Sequence, residues 1–359
     1  MQERGNLGSN LKYPFWKTDD MPELRRDPLV GRWVVFSPER KQRPQDFHLQ
    51  NGALPELGAF TWGNEHLTPP EVYATRPEGA AHGPNGPGWQ VRVVPNRFPA
   101  LRIEGDLMPE GDGIYDRMNG IGAHEVIIET ADAALALEDQ PVEAISGILK
   151  AYRSRIVDLS RDSRFRSILI FKNVGPMAGA SLRHAHSQLI ALPVVPRMLQ
   201  DRLTAARAHY ASKERNLFDD LIRAERKEGK RVVHENNGFV AFCPYASRFP
   251  FELCLLPRRQ NPHFHHSTDS ELDLAAESLK QILQRLAKGV GKPDYNLILH
   301  TAPFVREASE EARLELDFRW HIEVLPRLTG IAGFEFGTGF FINSTLPEEA
   351  AQFLRAVKI

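Results

Sequence analysis

Residues 167–193 read SILIFKNVGPMAGASLRHAHSQLIALP. An apolar run comes first, then a turn of small residues, then two histidines one residue apart that open a second apolar run. Short apolar runs bounded by Gly and Pro read as buried strands, so the stretch is two strands joined across a loop. The same order returns downstream: YNLILHT from Tyr295 mirrors SILIFKN, and RWHIEVLPR from Arg319 mirrors LRHAHSQLIALP. A recurring unit of this size governs the architecture.

Outward from this pair the repeat extends. In the first copy WQVRVVP ends at Pro95 and is followed by NRFP, by HEVIIE from His124 and by a helix from about Pro141. Val142, Ile145, Ile148, Leu149, Tyr152, Ile156 and Leu159 recur three or four apart, which stripes one helix face and leaves Lys150, Arg153 and Arg155 for water. In the second copy GFVAFCP ends at Pro244, YASRFP and FELCLLP follow, and a capping box of Thr268 with Glu271 opens the matching helix. Its apolar face is Leu272, Ala275, Leu279, Ile282, Leu283 and Leu286. Each copy is therefore an α+β unit, a mostly antiparallel sheet with one long packed helix, and two such sheets are expected side by side. The boundary falls near residue 198, giving units 1–198 and 199–359, with the charged segment 199–232 as a helical connector. Stretches 77–88 and 105–122, rich in Gly and Pro, read as surface loops.

Composition bounds the chemistry. The 359 residues are 42% hydrophobic and 25% charged, an ordinary globular mix. A net charge of −1 supplies no long-range field for nucleic acid or an anionic membrane, so phosphate recognition must come from local groups. Cys243 and Cys254 are the only cysteines and both sit in apolar runs, which excludes a disulfide framework. The N-terminus lacks an apolar signal-like stretch and no run is long enough for a membrane helix, so a cytoplasmic protein is expected.

The candidate site lies in Asn173–Gln188. Gly175, Ala178, Gly179, Ala180 and Ser181 form a turn whose backbone N–H groups can approach phosphate oxygens. His184, His186 and Gln188 alternate, so on a strand they share one face, with small Ala185 and Ser187 opposite. An imidazole held where strand meets loop can attack phosphorus, and the resulting phosphoramidate is reactive enough to pass its group on. Gln188 is placed to donate to a phosphoryl oxygen.

These residues resemble the galactose-1-phosphate uridylyltransferases and their relatives, a branch of the histidine-triad superfamily, over nearly the whole chain. The motif matches without a gap from Asn173 through Gly179, Ser181, His184, His186 and Gln188. There the resemblance implies nucleotide and phosphate contacts, with His186 as the nucleophile. The hydrolases of the triad type carry a third histidine where this chain has Gln188, so the likeness points to the transferase branch. DPLVGRWVVFSPERKQRP resembles the family's opening strand and brings Arg40 and Arg43 to the nucleotide phosphates, a role suited to a planar fork of donors. Asn96 in VPNRFP matches a nucleotide-contacting asparagine; GNEHLTPPEV and AGFEFGTGFFIN are also similar, which puts Phe334 and Glu335 near the sugar or base. The resemblance implies two histidine-triad-like repeats, the first carrying the nucleophile, and a homodimer.

One family feature is missing. Relatives usually hold a structural zinc with a Cys-x-x-Cys pair before the GNE segment, a further histidine and the first histidine of the motif. Here Gly58 and Thr61 stand where the sulfurs would, IIETADAAL contains no histidine, and His184 is the one ligand retained. No metal or cofactor is assigned. The RWH run offers His321 beside Arg319, without cysteines in NLFDD at Asn216, and no zinc is expected there either. His263, His265 and His266 read as a solvated loop.

The leading reading is a ping-pong exchange in which His186 takes UMP from a UDP-sugar and yields it to a hexose 1-phosphate, with Arg40, Arg43 and Gln188 stabilising charge. The run HSQLIALPVVP is also similar to the ADP-glucose phosphorylase-like branch, which implies an adenylyl donor and orthophosphate as acceptor. A third reading is a nucleotide-sugar-binding protein without turnover.

Overall fold

The long strands carry apolar runs, and because successive side chains point to opposite faces, each strand commits at least one face to a core. The computed structural model describes residues 58–331, 333–339, 341 and 343–359, together with strands at 23–26 and 33–36. In chain order the strands are β1 (Glu23–Arg26), β2 (Trp33–Phe36), β3 (Tyr73–Thr75), β4 (Val91–Pro95), β5 (Glu110–Asp112), β6 (Tyr115–Asn119) and β7 (Ala123–Ile128). They continue with β8 (Ser167–Val174), β9 (His186–Leu192), β10 (Val232–Glu235), β11 (Phe239–Phe242), β12 (Leu253–Pro257), β13 (Tyr295–His300) and β14 (His321–Pro326). The helices are α1 (Val142–Leu159), α2 (Arg197–Lys213), α3 (Leu217–Glu228), α4 (Asp269–Val290), α5 (Ala308–Asp317), α6 (Gly333–Thr338) and α7 (Pro347–Ala356).

The two expected sheets are one. Ten strands run in the order β10-β11-β12-β14-β13-β8-β9-β7-β4-β3, and the halves meet edge to edge where β8 pairs β13 antiparallel, Phe171 opposite Ile298 and Asn173 opposite Asn296. Read outward from that seam, β13, β14, β12, β11 and β10 repeat β8, β9, β7, β4 and β3. The register carries the repeat to single residues: Gln188 faces Val126 of β7, and Glu323 faces Cys254 of β12. His321 thus stands in the place of His186, Arg319 in that of His184, and Glu323 in that of Gln188.

α1 and α4 cover one face, sharing a core with Ile127, Leu189, Leu297 and Val324. The expected capping box opens α4: Thr268 Oγ1 accepts from the Glu271 N–H at 3.3 Å, and Glu271 Oε2 accepts from the Thr268 N–H at 2.8 Å. Arg155 departs from the reading of α1. It is buried, donating twice to Glu125 at 2.8 and 2.6 Å, because a fork of donors matched to a carboxylate is satisfied without water.

Stretch 105–122 is not a loop throughout. It contains β5 and β6, which join β1 and β2 in a small sheet of order β2-β1-β6-β5. β5 and β6 are largely exposed, so no apolar alternation marked them. The histidine loop is only partly solvated: His266 is exposed and His265 half-buried, but Phe264 packs edge-on to Trp320 in the core, which carries His263 inside, with its Nε2 2.9 Å from Glu311. Among the described residues no helix is long and apolar enough to cross a membrane.

Candidate active site

On the sheet face away from α1 and α4, β9 presents His186 and Gln188. The strand begins at His186, so His184 lies in the bend just before it rather than on the strand. Its Nε2–H donates to the Thr130 carbonyl at 2.7 Å. The Phe60 ring, at 5.7 Å from both, meets His184 and His186 edge-on and holds the pair against the sheet.

His186 is 6% exposed, and its Nδ1–H donates to the His184 carbonyl at 2.7 Å. That bond fixes the tautomer with the lone pair on Nε2, which takes no partner among the described residues. Burial, reinforced by the nearby Lys172 cation, pushes the His186 pKa down to about 4 against the opposing pull of the His184 carbonyl. A neutral imidazole with an unengaged Nε2 is chemically a nucleophile across the range where enzymes work.

Beneath the strand lies a network that reading Ser187 as merely small, and Tyr152 as merely apolar, does not reveal. Lys172 Nζ donates to Glu129 Oε2 at 2.7 Å and to the His186 carbonyl at 3.2 Å. Ser187 Oγ donates to the other oxygen of Glu129, and Tyr152 Oη lies 2.5 Å from the same hydroxyl. All four side chains are buried. Charged residues at core-facing strand positions are costly unless paired, so Glu129 and Lys172 amid apolar neighbours were the legible signal.

Gln188 has a neighbour that sequence reasoning missed. His124, on β7, lies with its Nε2 2.9 Å from Gln188 Oε1 and its Nδ1 3.0 Å from the Ala100 backbone nitrogen. Asn96 joins them: its N–H donates to the His124 carbonyl at 2.8 Å, and its Oδ1 accepts from the Phe98 N–H at 2.9 Å. A single histidine heading an apolar strand carries no spacing pattern, which is why His124 stayed hidden.

The small-residue turn is held from the other half of the chain. Gly175 has φ 81°, and a Cβ there would lie 1.9 Å from Asp294 Oδ1, so only glycine fits. Asp294 Oδ2 accepts from the Met177 N–H at 2.7 Å, and Asn296 Nδ2 donates at 2.8 Å to both Asn173 Oδ1 and the Ala178 carbonyl. Gly179, with φ 79°, closes the short helical turn Pro176–Ala178, and half-buried Ser181 follows. The structure thus gathers Asn96, Asn173, Gly179, Ser181, His184, His186 and Gln188 around the start of β9. Glu335 lies half-buried in α6, in the C-terminal stretch that continues to Phe341 and Asn343, which pack on Phe249 and Ser247. Arg40, Arg43 and the Phe334 side chain lie outside the described residues.

Residues 12–196 match the family model described as galactose-1-phosphate uridyl transferase, N-terminal domain, and residues 203–358 match that of the C-terminal domain. The chain belongs to the galactose-1-phosphate uridyl transferase family. It is a nucleotidyltransferase by that membership. It is 35% identical over 344 residues to an ADP-glucose phosphorylase of Arabidopsis thaliana, covering 94% of this chain and 93% of the relative. It is 28% identical to a galactose-1-phosphate uridylyltransferase of Thermotoga maritima, covering 94% and 99%. Among solved structures, the Arabidopsis thaliana ADP-glucose phosphorylase with bound ADP-glucose matches with TM-score 0.73 at 33% identity, covering 94% of this chain and 99% of that one. A uridylyltransferase structure matches with TM-score 0.74 at 29% identity, covering 93% and 97%.

The zinc that the resemblance implies does not fit this uridyl transferase family member's residues. His184 Nδ1 is buried without a partner and is one ligand atom at most. The segment where a thiolate pair would stand is closed by hydrogen bonds instead: Thr61 Oγ1 and Asn64 Nδ2 each donate to the Gly58 carbonyl at 2.6 Å. Phe60, between them, supplies by packing the tether to His184 and His186.

In the C-terminal half His300, His321 and Glu323 bring ligand atoms within 4.8 Å of one another, the one such group of three among the described residues. His321 is wired like His186, Nδ1–H donating to the Arg319 carbonyl at 2.9 Å, and burial pushes its pKa to about 3. Its Nε2 lone pair, however, accepts from Arg202 at 2.5 Å, and the same guanidinium donates to Glu323 at 2.5 Å. Arg248 adds a bond to Glu323 at 2.7 Å. Burial opposes the Glu323 charge, yet His300 and the two guanidiniums hold its carboxyl far below the usual range. A cation is already built in, so these residues do not fit a divalent metal while Arg202 stands there, and His321 has no lone pair to offer phosphorus.

Proposed function

We propose that this chain transfers a nucleoside monophosphate from a nucleotide sugar to a phosphate acceptor through a covalent intermediate on His186. The observation that carries the reading is the unengaged Nε2 of a neutral, buried His186 whose other nitrogen is tied to the His184 carbonyl. Nε2 attacks the α-phosphorus, an N–P bond forms, the bond to the bridging oxygen breaks, and sugar 1-phosphate leaves. An oxygen of the acceptor phosphate then attacks the same phosphorus and the N–P bond breaks. In this reading Gln188 donates to the phosphoryl oxygen, Asn173, Gly179 and Ser181 line the phosphate, Asn96 touches the nucleotide, Phe334 and Glu335 approach sugar or base, and Arg40 and Arg43 meet the phosphates.

Two donors carry support. A UDP-hexose with hexose 1-phosphate as acceptor draws on the family description and the Thermotoga maritima relative. An ADP-hexose with orthophosphate as acceptor draws on the higher identity to the Arabidopsis thaliana ADP-glucose phosphorylase. The reading places the protein in the cytoplasm, where its buried thiols Cys243 and Cys254 remain free. It also takes the assembly as a homodimer and the halves 1–198 and 199–359 as the two domains.

Intact-mass measurement after separate mixing with UDP-glucose and ADP-glucose, under conditions that spare an acid-labile phosphoramidate, tests it. The expected result is a UMP or AMP adduct that His186→Gly abolishes while the variant still folds and binds donor, with turnover lower by about 10³-fold or more. Full turnover in that variant would sink the mechanism.

A further inference from the structure

We infer that His124 is a positioning residue that sets which end of the Gln188 side-chain amide faces the transferred phosphoryl group. The inference rests on the proposed transfer through His186 and deepens it.

A backbone N–H fixes the His124 tautomer, because its proton cannot be moved. Ala100 N lies 3.0 Å from His124 Nδ1, so Nδ1 must be the acceptor and carries a lone pair. The neutral ring then bears its proton on Nε2. That proton points to Gln188 Oε1 at 2.9 Å, so the oxygen end of the amide is the end bound to His124. The Asn96 amide cannot compete for the proton. Its Oδ1 is taken by the Phe98 N–H at 2.9 Å, which leaves a donor, Nδ2, 3.1 Å from the His124 ring nitrogen.

The consequence falls on Gln188. Its NH₂ group has no partner among the described residues and remains for a ligand on the His186 face. The oxygen and nitrogen ends of a glutamine amide have the same shape, and only hydrogen bonding tells them apart. With Nε2–H of His124 in place the donor end faces the phosphoryl oxygen. Without it the flipped amide presents a carbonyl oxygen to an anion, which repels the charge that the transition state develops. Ala100, through a bond made to the far side of the ring, is therefore part of how Gln188 is aimed.

The chain's own second half supports the assignment. In the repeat register Glu252 stands where His124 does and Glu323 where Gln188 does, and there Arg248 bridges the two carboxylates with bonds of 2.8 and 2.7 Å. Both halves hold the residue two after the strand-leading histidine by a bond from outside its own strand, one from an imidazole N–H on β7 and one from the Arg248 guanidinium in the turn before β12.

The test is a double-mutant cycle in the full-length protein, with UDP-glucose and ADP-glucose as donors. His124→Phe keeps the ring volume and removes the N–H; His124→Gln restores a donor near the Nε2 position and serves as the conservative rescue. Thermal melts check that both fold. The expected result is a fall of roughly tenfold in kcat for His124→Phe, with donor KM nearly unchanged, partial recovery in His124→Gln, and no further loss when His124→Phe is added to Gln188→Ala. A separate readout does not depend on turnover: with glutamine side chains labelled by nitrogen-15, the NH₂ signal that disappears in Gln188→Ala should shift in His124→Phe. Multiplied losses in the double variant, or an unmoved Gln188 signal, overturn the role of His124. Absence of any His186 adduct with either donor counts against the transfer reading instead, and the amide signal still decides the orientation.

Discussion

At the scale of single residues, the decisive fact is that burial keeps His186 neutral where a free imidazole would begin to protonate. Its ordinary pKa near 6.5 is pushed down to about 4, so the Nε2 lone pair persists through mildly acidic conditions. Donor kcat/KM is therefore expected to stay flat from pH 8 down to about pH 5.5, without the acid limb near 6.5 that an exposed histidine would give. Initial rates across that range check it, with stability monitored in parallel. A limb centred near 6.5 would mean that the nucleophile is solvated in the working enzyme. In His321 the same backbone wiring and a still lower pKa yield no nucleophile, because Arg202 occupies the lone pair.

At the scale of elements, the turn at Gly58–Phe60 and the strand β9 are joined by aromatic packing where relatives are expected to use a metal. Phe60 is 8% exposed and touches both histidines, so Phe60→Ala should cost about 3 kcal/mol and lower turnover through a looser His186. Chelator treatment should leave both activity and melting temperature unchanged. Loss of either on chelation, with recovery by zinc, would show that a metal does this work. Elements also show what the sequence could disclose. The long strands were legible as apolar runs bounded by Gly and Pro, α1 and α4 because a core imposes three-to-four spacing, and the capping box of Thr268 and Glu271 is a local code. β5 and β6 were not, since exposed strands owe their pairing to β1 rather than to any pattern of their own. Within the site, His186 and Gln188 were legible from alternation. His124 was not, and Glu129 and Lys172 marked buried charge without showing that they pair, because the partners are brought together only by the fold, far away in sequence.

At the scale of the whole molecule, two repeats share one sheet and one core, so the halves are expected to unfold together, and their histidines tie that stability to pH. His186 and His263 are held at about 4, His265 and His321 at about 3, in each case chiefly because burial excludes the charged form. His184 and His300 are lowered for the same first reason. The unfolded chain takes up protons at these positions as pH falls through about 6.5, while the folded chain refuses them until pH 3 to 4. In that window the unfolded state binds more protons, so stability is fully present above about pH 6.5 and drains as pH falls. Each of the four most depressed histidines contributes on the order of 1 kcal/mol of loss by pH 5.5. For a chain of this size the melting temperature should drop by roughly 5–10 °C between pH 7.5 and 5.5. Calorimetric scans at constant ionic strength measure it, and His263→Gln and His265→Gln, remote from the nucleophile strand, should each flatten the slope. A melting temperature that holds steady or rises toward pH 5.5 would mean that these rings have access to water and protons in the folded protein.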